Sequence, residues 1–175
     1  MTYEFPRPIS PDHDVAAFCS GESSLDDWLR RRALAGEVTG ASRTFVTIQA
    51  GSRTVVGYYA LAAGSVRTET MPGRVRRNMP DPIPVVVLAR LAVSRQHQGA
   101  GLGTSLLQDA IRRSLAAAMS VGMRAMIVHA LTESAGRFFE RLGFVEAPPG
   151  SLIYVATIAD LRRTLGVGDP GNESA

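Results

Sequence analysis

The chain has 175 residues, of which 45% are hydrophobic and 20% charged, a composition typical of a globular protein. No apolar run approaches the roughly 20 residues that a membrane-spanning helix needs, and the first residues lack the order of a secretory signal peptide. We therefore expect a cytoplasmic protein with no membrane partner. The single cysteine, Cys19, excludes an internal disulfide, and three scattered histidines show no metal-ligand spacing, so we expect no metal site.

All nineteen basic residues are arginines, although the formal net charge is only +3. Arginine keeps its charge and binds phosphate through a planar fork, so clustered arginines favour a nucleotide or nucleic-acid partner more than the net charge suggests. For any single pair of arginines, a solvated helix face is the commoner explanation. The clusters lie at residues 30–32, 74–77, 112–113 and 162–163.

The first third of the chain predicts a helix followed by a hairpin. A helix is expected over residues 25–38, capped by Ser23 or Ser24. Its apolar stripe consists of Leu25, Trp28, Leu29 and Leu34. Two strands over residues 44–49 and 54–63, separated by a short turn, form the hairpin.

A proline-rich segment precedes the central strand. Residues 66–84 contain four prolines and four arginines with almost no apolar periodicity, so we expect a long loop that is functional or disordered. A continuous apolar run around Leu88 then predicts a strand that is buried on both faces.

The C-terminal part alternates strands and helices. It begins with a strand over residues 124–131 and a helix over residues 133–142. Two short strands then precede a capping box at Thr157, which starts a last helix. We expect residues 1–165 to form one domain of the α/β (α+β) class and residues 166–175 to be a disordered tail.

A glycine-rich turn joins the central strand to the helix that follows it. The turn reads Gln98-Gly99-Ala100-Gly101-Leu102-Gly103, and apolar residues then recur at helical spacing as far as Ile111. Free backbone N–H groups and the positive end of a helix dipole meet there, which favours a bound phosphate. A nucleoside triphosphate loop would need a lysine, which the chain lacks, and a dinucleotide fingerprint would need a different glycine spacing.

The remaining pattern, Q/R-x-x-G-x-G/A, is met by Gln98, Gly101 and Gly103. It resembles the pyrophosphate loop of the GNAT N-acetyltransferases, which bind acetyl-coenzyme A (acetyl-CoA). This resemblance implies the GNAT fold, a mixed central sheet with flanking helices in which two parallel strands splay apart to admit the pantetheine arm.

Further stretches are similar to one branch of that family, the acetyltransferase toxins of type II toxin–antitoxin modules (the TacT and AtaT group). In chain order, they are residues 18–21, 25–29, 40–44, 56–61, 91–93 and 138–144. Members of this group acetylate the α-amine of aminoacyl-tRNA and stop translation, and a ribbon-helix-helix antitoxin neutralises them. The resemblance thus implies a toxin acetyltransferase that uses acetyl-CoA as cosubstrate, binds an antitoxin and forms a homodimer.

The resemblance also assigns roles to individual positions. Backbone pairing with the pantetheine and the acetyl group would fall to Leu91, Ala92 and Val93. The pyrophosphate would be held by Gln98, Gly99, Ala100, Gly101, Leu102, Gly103 and Thr104. The other side of the coenzyme would be lined by Thr132, Ala135 and Phe138. For each apolar residue among them, plain core packing is the alternative.

Phe139 stands where this group usually has a tyrosine, whose hydroxyl would protonate the departing thiolate. Phenylalanine lacks that donor, and a general acid typically contributes about 10²–10⁴-fold. A thiolate, whose conjugate thiol has a reference pKa of about 8.5, leaves without protonation more readily than an alkoxide does. We therefore expect impaired rather than absent activity. Phe139 is either natural or a replacement of tyrosine, and the sequence does not distinguish these. The alternative hydroxyl sources are Tyr58, Tyr59 and Tyr154.

The candidate tRNA contacts are the arginines expected near the opening through which the acceptor substrate would enter the site. They are Arg30, Arg31, Arg74, Arg76 and Arg77. His97 and His129 are candidate general bases, although a structural role is the commoner one. Two other functions stay open: a GNAT enzyme for a small amine, which the scatter of acidic residues opposes, and a catalytically silent module that binds coenzyme A and a protein partner.

Overall fold

The computed structural model describes residues 2–168, in which seven strands form one mixed sheet. The strands are β1 (Arg7–Pro8), β2 (Arg43–Ile48), β3 (Val55–Val66), β4 (Ile83–Val93), β5 (Ala125–His129), β6 (Val145–Glu146) and β7 (Ile153–Thr157). The helices are α1 (Ser23–Arg31), α2 (Ala33–Thr39), α3 (Gly73–Arg76), α4 (Leu102–Ala118), α5 (Glu133–Glu140) and α6 (Ile158–Leu165). The order in the sheet is β1-β2-β3-β4-β5-β7-β6.

The described chain divides into two compact units, each drawn from two segments. The first unit comprises residues 2–62 and 88–110, and the second comprises residues 63–87 and 111–168. One domain over residues 1–165 therefore stays a prediction. The predicted disordered tail lies outside the described residues from position 169 onward. None of the helices within residues 2–168 has the length and apolarity that crossing a membrane requires.

In the first unit, the predicted hairpin is confirmed. Strands β2 and β3 pair antiparallel, and the turn between them places Gly51 in the left-handed region with a φ of +77°. The core behind the hairpin contains Tyr58, whose hydroxyl donates to the Leu25 carbonyl over 2.7 Å. Trp28 stacks on the Tyr58 ring with an interplanar angle of 4°. These contacts hold α1 against the sheet.

The predicted single helix over residues 25–38 is wrong in its interior and at its cap. The chain forms α1 and α2 with a break at Arg32, where φ is −119°. The helical spacing is interrupted at Arg32, and beyond it Ala33 is buried while Leu34, expected in the apolar stripe, is 39% exposed. The N-cap residue is Glu22 rather than a serine, and its side chain makes no capping bond.

In the second unit, the predicted helix start at Thr157 is confirmed. The Thr157 hydroxyl accepts from the Asp160 N–H over 3.2 Å, and the Asp160 carboxylate accepts from the Thr157 N–H over 2.9 Å. The helix ends at Leu165, after which Gly166 takes a left-handed conformation. Strands β5, β7 and β6 pair antiparallel beside this helix.

Residues 66–84, expected to be one long loop, are ordered and partly helical. They contain a 3-10 turn at Thr68–Thr70, α3 and the start of β4. Val75 and Ile83 are fully buried, and these isolated apolar side chains anchor a segment that shows no periodicity. The Arg124 guanidinium donates to the Val75 carbonyl over 3.1 Å, which satisfies a free carbonyl of the short helix.

The expectation that β4 is buried on both faces is also wrong. Val85, Leu88 and Ala92 are buried, whereas the residues between them along the strand are partly exposed. A continuous apolar run therefore indicated a strand correctly but overstated the burial of its second face.

Candidate active site

The glycine loop of the first unit lies between a 3-10 turn at Arg95–His97 and the start of α4. Gly99 and Gly101 have φ values of +78° and +83°, which favour glycine because other side chains are strained there. A Cβ atom built on either residue would meet no atom within 4 Å, so the loop backbone is open. The first N–H groups of a helix have no partner within the helix. The loop therefore offers free donors in an open cradle, and the residues present fit a pyrophosphate.

The start of α4 is fixed by tight packing. Leu106, Leu107 and Ala110 have no exposed surface, which confirms the predicted apolar stripe of this helix. A Cβ atom at Gly57 on β3 would come within 2.8 Å of the Leu106 side chain. The absence of a side chain at Gly57 thus allows the helix to lie close to the sheet and holds the anion-binding end of α4 in place.

Gln98 shapes the loop through its side chain. Its amide nitrogen donates to the Val93 carbonyl over 2.8 Å and to the Ser20 carbonyl over 2.9 Å. A side-chain amide has two N–H donors, and both are used here. The Gln98 side chain therefore has no donor left for a phosphate, and the Val93 carbonyl already has a partner.

Residues 18–21 brace the same loop. The Cys19 carbonyl accepts from the Arg95 N–H over 2.8 Å. Gly21 has a φ of +100°, and a Cβ atom there would lie 2.7 Å from Arg95 Nε. The short motif at residues 18–21 thus supports the loop from outside.

In the second unit, Thr132 caps α5. Its side chain accepts from the Ala135 N–H over 3.1 Å. Phe139 is 5% exposed, and its ring contacts those of Phe138 and Phe144 at centroid distances of 5.2 Å and 5.8 Å. Phe139 is thus a core residue in this chain, and no polar atom stands at this position.

Two of the three alternative hydroxyls already have partners. The Tyr58 hydroxyl donates to the Leu25 carbonyl, and the Tyr59 hydroxyl donates to the Asp109 carboxylate over 2.5 Å. Burial raises the pKa of Tyr58, so this phenol keeps its proton at neutral pH. Within residues 2–168, the Tyr154 hydroxyl has no hydrogen-bond partner.

The two candidate histidine bases differ from each other. His97 is buried, and its Nδ1 lies 3.0 Å from the Tyr3 hydroxyl, so its role is structural. His129, expected in a buried strand, is exposed at the end of β5. The described residues thus give neither histidine a partner arrangement typical of a general base.

The five candidate arginines fall into two groups. Arg30 donates to the Phe18 carbonyl and lies 3.5 Å from the Asp27 carboxylate, while Arg74 pairs with Asp160. Exposed side chains without a partner among residues 2–168 belong to Arg31, Arg76 and Arg77. These last three arginines are available to a phosphate backbone.

The sequence did not suggest two features of the structure. Arg90 lies over the Trp28 ring, 5.4 Å from its centroid, which adds a cation–π contact to the packing of α1. Three glutamates of the second unit, scattered in the sequence, line one cavity together with Tyr154. No local pattern marks either feature, because each depends on pairing between separate strands and helices.

A sequence model of the acetyltransferase (GNAT) domain matches residues 41–146. The chain belongs to the acetyltransferase (GNAT) family. The matched GNAT region contains β4, the glycine loop, α4 and α5. The sheet with flanking helices confirms the GNAT fold expected from the sequence.

Three GNAT relatives set the context. The tRNA-acetylating toxin of Mycobacterium tuberculosis (strain ATCC 25618 / H37Rv) is 53% identical over 164 residues, which cover 94% of this chain and 98% of the toxin. A structure of AtaT complexed with acetyl-methionyl-tRNAfMet has a TM-score of 0.83 at 25% identity, covering 94% of this chain and 98% of that one. A third relative is a tyrosine-to-phenylalanine mutant of AtaT bound to acetyl-CoA and to the C-terminus of the antitoxin AtaR. Its TM-score is 0.78 at 25% identity, and the match covers 95% of this chain and 99% of that one.

Proposed function

We propose that this chain is a toxin acetyltransferase that moves an acetyl group from acetyl-CoA to the α-amine of aminoacyl-tRNA and so blocks translation in the cytoplasm. The observation that carries the proposal is the 53% identity to a tRNA-acetylating toxin over almost the whole of both chains. The AtaT complex supports the site of transfer, since its ligand is an acetylated methionyl-tRNA.

The open glycine loop supports acetyl-CoA as the cosubstrate, which supplies an activated acetyl group as a thioester when bound. Backbone N–H groups of residues 99–104 would hold the pyrophosphate at the start of α4. Leu91 and Ala92 would pair with the pantetheine, and Gln98 would keep the loop in shape. Thr132, Ala135 and Phe138 keep the roles that the resemblance implies for them.

The nucleophile needs little help from the protein. An α-amino group titrates at about 7.7–8.0, so an appreciable fraction is neutral at cellular pH, whereas a lysine amine at about 10.4 would need a strong base. This agrees with the structural role of His97, whose ring is held by Tyr3. We therefore assign no general base to this chain.

Phe139 limits the departure of the thiolate. Its ring occupies the core without a hydroxyl, so no proton donor stands at this position. A thiolate can leave without protonation, because its conjugate acid has a pKa of about 8.5. The AtaT mutant that is bound to acetyl-CoA and the antitoxin carries a phenylalanine in place of a tyrosine. We propose that acetyl transfer in this chain is slow rather than absent.

Phe139→Tyr tests the proposal. The rate of transfer from radiolabelled acetyl-CoA to charged tRNA should rise by about 10²–10⁴-fold, the usual contribution of a general acid. Phe144→Tyr is the matched control, because it adds the same hydroxyl to a neighbouring buried ring that has no assigned contact with the coenzyme. Transfer to uncharged tRNA should be absent in every variant. Failure of both the original chain and Phe139→Tyr to acetylate charged tRNA would refute the proposal.

A silent module that binds coenzyme A is the second candidate, and the missing hydroxyl at Phe139 favours it. This function predicts that both the original chain and the Phe139→Tyr variant bind acetyl-CoA, and that neither transfers the acetyl group to any amine. A small-amine acetyltransferase instead predicts transfer to free amines and none to charged tRNA. The same radiolabel assay, run with both acceptors, separates the three functions.

For partners, we propose a ribbon-helix-helix antitoxin and a homodimer, as the toxin group implies. The AtaT mutant bound to the C-terminus of AtaR supports an antitoxin, although it does not specify the ribbon-helix-helix type. Arg31, Arg76 and Arg77 are the arginines that we propose to contact the tRNA backbone, since Arg30 and Arg74 already have partners within the chain.

A further inference from the structure

A cavity of about 330 Å³ opens on the second unit, and the proposed acetyl transfer does not use it. Its lining includes Glu133, Arg137, Glu140, Glu146, Leu152 and Tyr154. The lining thus carries three carboxylates against one guanidinium. Acidic residues that are scattered in the sequence converge here because a helix and two strands meet.

One wall of the cavity is a face of α5. Glu133, Arg137 and Glu140 occupy positions i, i+4 and i+7 of the helix, which place them in one row. All three side chains are exposed. This row therefore presents one negative charge on each side of a positive one.

The opposite wall comes from the paired strands β6 and β7. Glu146 lies directly opposite Tyr154 in the antiparallel register, so both side chains stand on the same face of the sheet. One Glu146 oxygen accepts from the Leu152 N–H over 2.8 Å. The third carboxylate is thereby held in place, and its second oxygen is directed at no donor among residues 2–168.

Tyr154 forms the floor. The residue is only 4% exposed, and its ring lies 6.3 Å from that of Phe139. The hydroxyl sits beside the α5 backbone, where a Cβ atom at Gly136 would collide with it. Within residues 2–168 this hydroxyl has no hydrogen-bond partner, so it is free to bond to a molecule in the cavity. Burial and the charges of the nearby glutamates raise the pKa of Tyr154, so the hydroxyl stays protonated.

We propose that this cavity binds a small organic polycation of the polyamine class. No group of three acidic residues within residues 2–168 is close enough together to hold a metal ion, so the negative charge is spread along the walls. Spread charge matches an elongated molecule with several ammonium groups better than it matches a point ion. The volume lies near the lower end of small-molecule sites, about 300–1,000 Å³. Each ammonium can donate charge-assisted hydrogen bonds to a glutamate, and the Tyr154 oxygen can accept another.

Calorimetry with spermidine and the full chain at low salt tests the proposal, and one molecule should bind per chain. Glu140→Gln and Tyr154→Phe should each weaken binding by about tenfold, since each removes a hydrogen bond to a charged group. Arg137→Gln should strengthen binding, because it removes the one positive charge among the described residues that line the cavity. The matched control is Glu69→Gln, which removes one carboxylate of the second unit whose partner is an exposed arginine.

Three results would overturn the proposal. Spermidine could bind Glu140→Gln and Tyr154→Phe as tightly as Glu69→Gln, which would indicate diffuse attraction to the surface. A short peptide with one arginine could bind more tightly than spermidine and lose affinity in the same variants, which would assign the cavity to a protein partner. Absence of any spermidine binding to the folded chain would leave the cavity without this role. Thermal unfolding of Tyr154→Phe, which keeps the ring, checks that the variant is folded.

Discussion

The guanidinium of Arg74 pairs with the carboxylate of Asp160, which joins the proline-rich segment to the first turn of α6. Asp160 also accepts from the Thr157 N–H and pairs with Arg163. Partial burial pulls the pKa of Asp160 upward, but the hydrogen bonds of Thr157 and the charges of Arg74 and Arg163 outweigh it and hold the pKa below its usual value. One carboxylate therefore caps a helix and anchors a segment that local propensity leaves irregular.

Asp160→Asn should lower the free energy of unfolding by about 1–2 kcal/mol at neutral pH, through loss of charge-assisted capping and of two ion pairs with exposed arginines. Because the folded pKa lies below the unfolded value of about 3.9, the contribution is complete well above that pH and disappears as pH falls through the folded pKa. Urea unfolding at several pH values should show the two proteins converging in acid. Asp12→Asn is the control, since its pair with Arg53 is exposed. Equal effects of both substitutions would contradict the role of Asp160.

Gly101→Asp should abolish acetyl-CoA binding, because a carboxylate would stand among the N–H groups that hold the pyrophosphate. Gly51→Asp is the matched control: it adds the same charge at a left-handed turn glycine that also has open space around it. Calorimetry with acetyl-CoA measures both. Unchanged affinity in Gly101→Asp would mean that the loop is structural only.

Reversal of charge at Arg76 and Arg77 should weaken tRNA binding and leave acetyl-CoA affinity unchanged. Each arginine that contacts a phosphate releases about 0.7–0.9 of a counterion. A plot of log affinity against log salt concentration should therefore become shallower by about one unit of slope for each reversal. Arg112→Glu, an exposed arginine on α4, is the control. If tRNA affinity changed neither with salt concentration nor with the two reversals, the physical support for a tRNA interface would be lost.

We also predict a homodimer, with the C-terminal strands or the first helices at the interface. Val145 on β6, the last strand of the sheet, is 47% exposed, and Val38 on α2 is 88% exposed. Exposed apolar side chains at an interface tolerate charge poorly, so either Val145→Arg or Val38→Arg should shift the protein toward monomer in sedimentation. A monomer at high concentration before any substitution would exclude the dimer.

Elements with strong local signals were predicted well. The hairpin of β2 and β3, the apolar face of α4 and the capping box at Thr157 depend on neighbours within a few residues. The glycine loop and its phosphate ligand were also predicted locally, because Gln98, Gly101 and Gly103 are close in the chain, and the family resemblance added acetyl-CoA as that ligand. The break at Arg32 was missed, since it depends on how two short helices pack on the sheet.

Sequence by itself determined the GNAT family, the position of the glycine loop and the absence of a hydroxyl at Phe139, because each is contained in a contiguous motif. Only the tertiary structure decided which polar groups already have partners: Gln98 holds the loop, and Arg74 holds Asp160. It also brought Glu146 opposite Tyr154. The physical reason is that a hydrogen bond or an ion pair depends on distance in space, and strand pairing sets that distance between residues far apart in the chain.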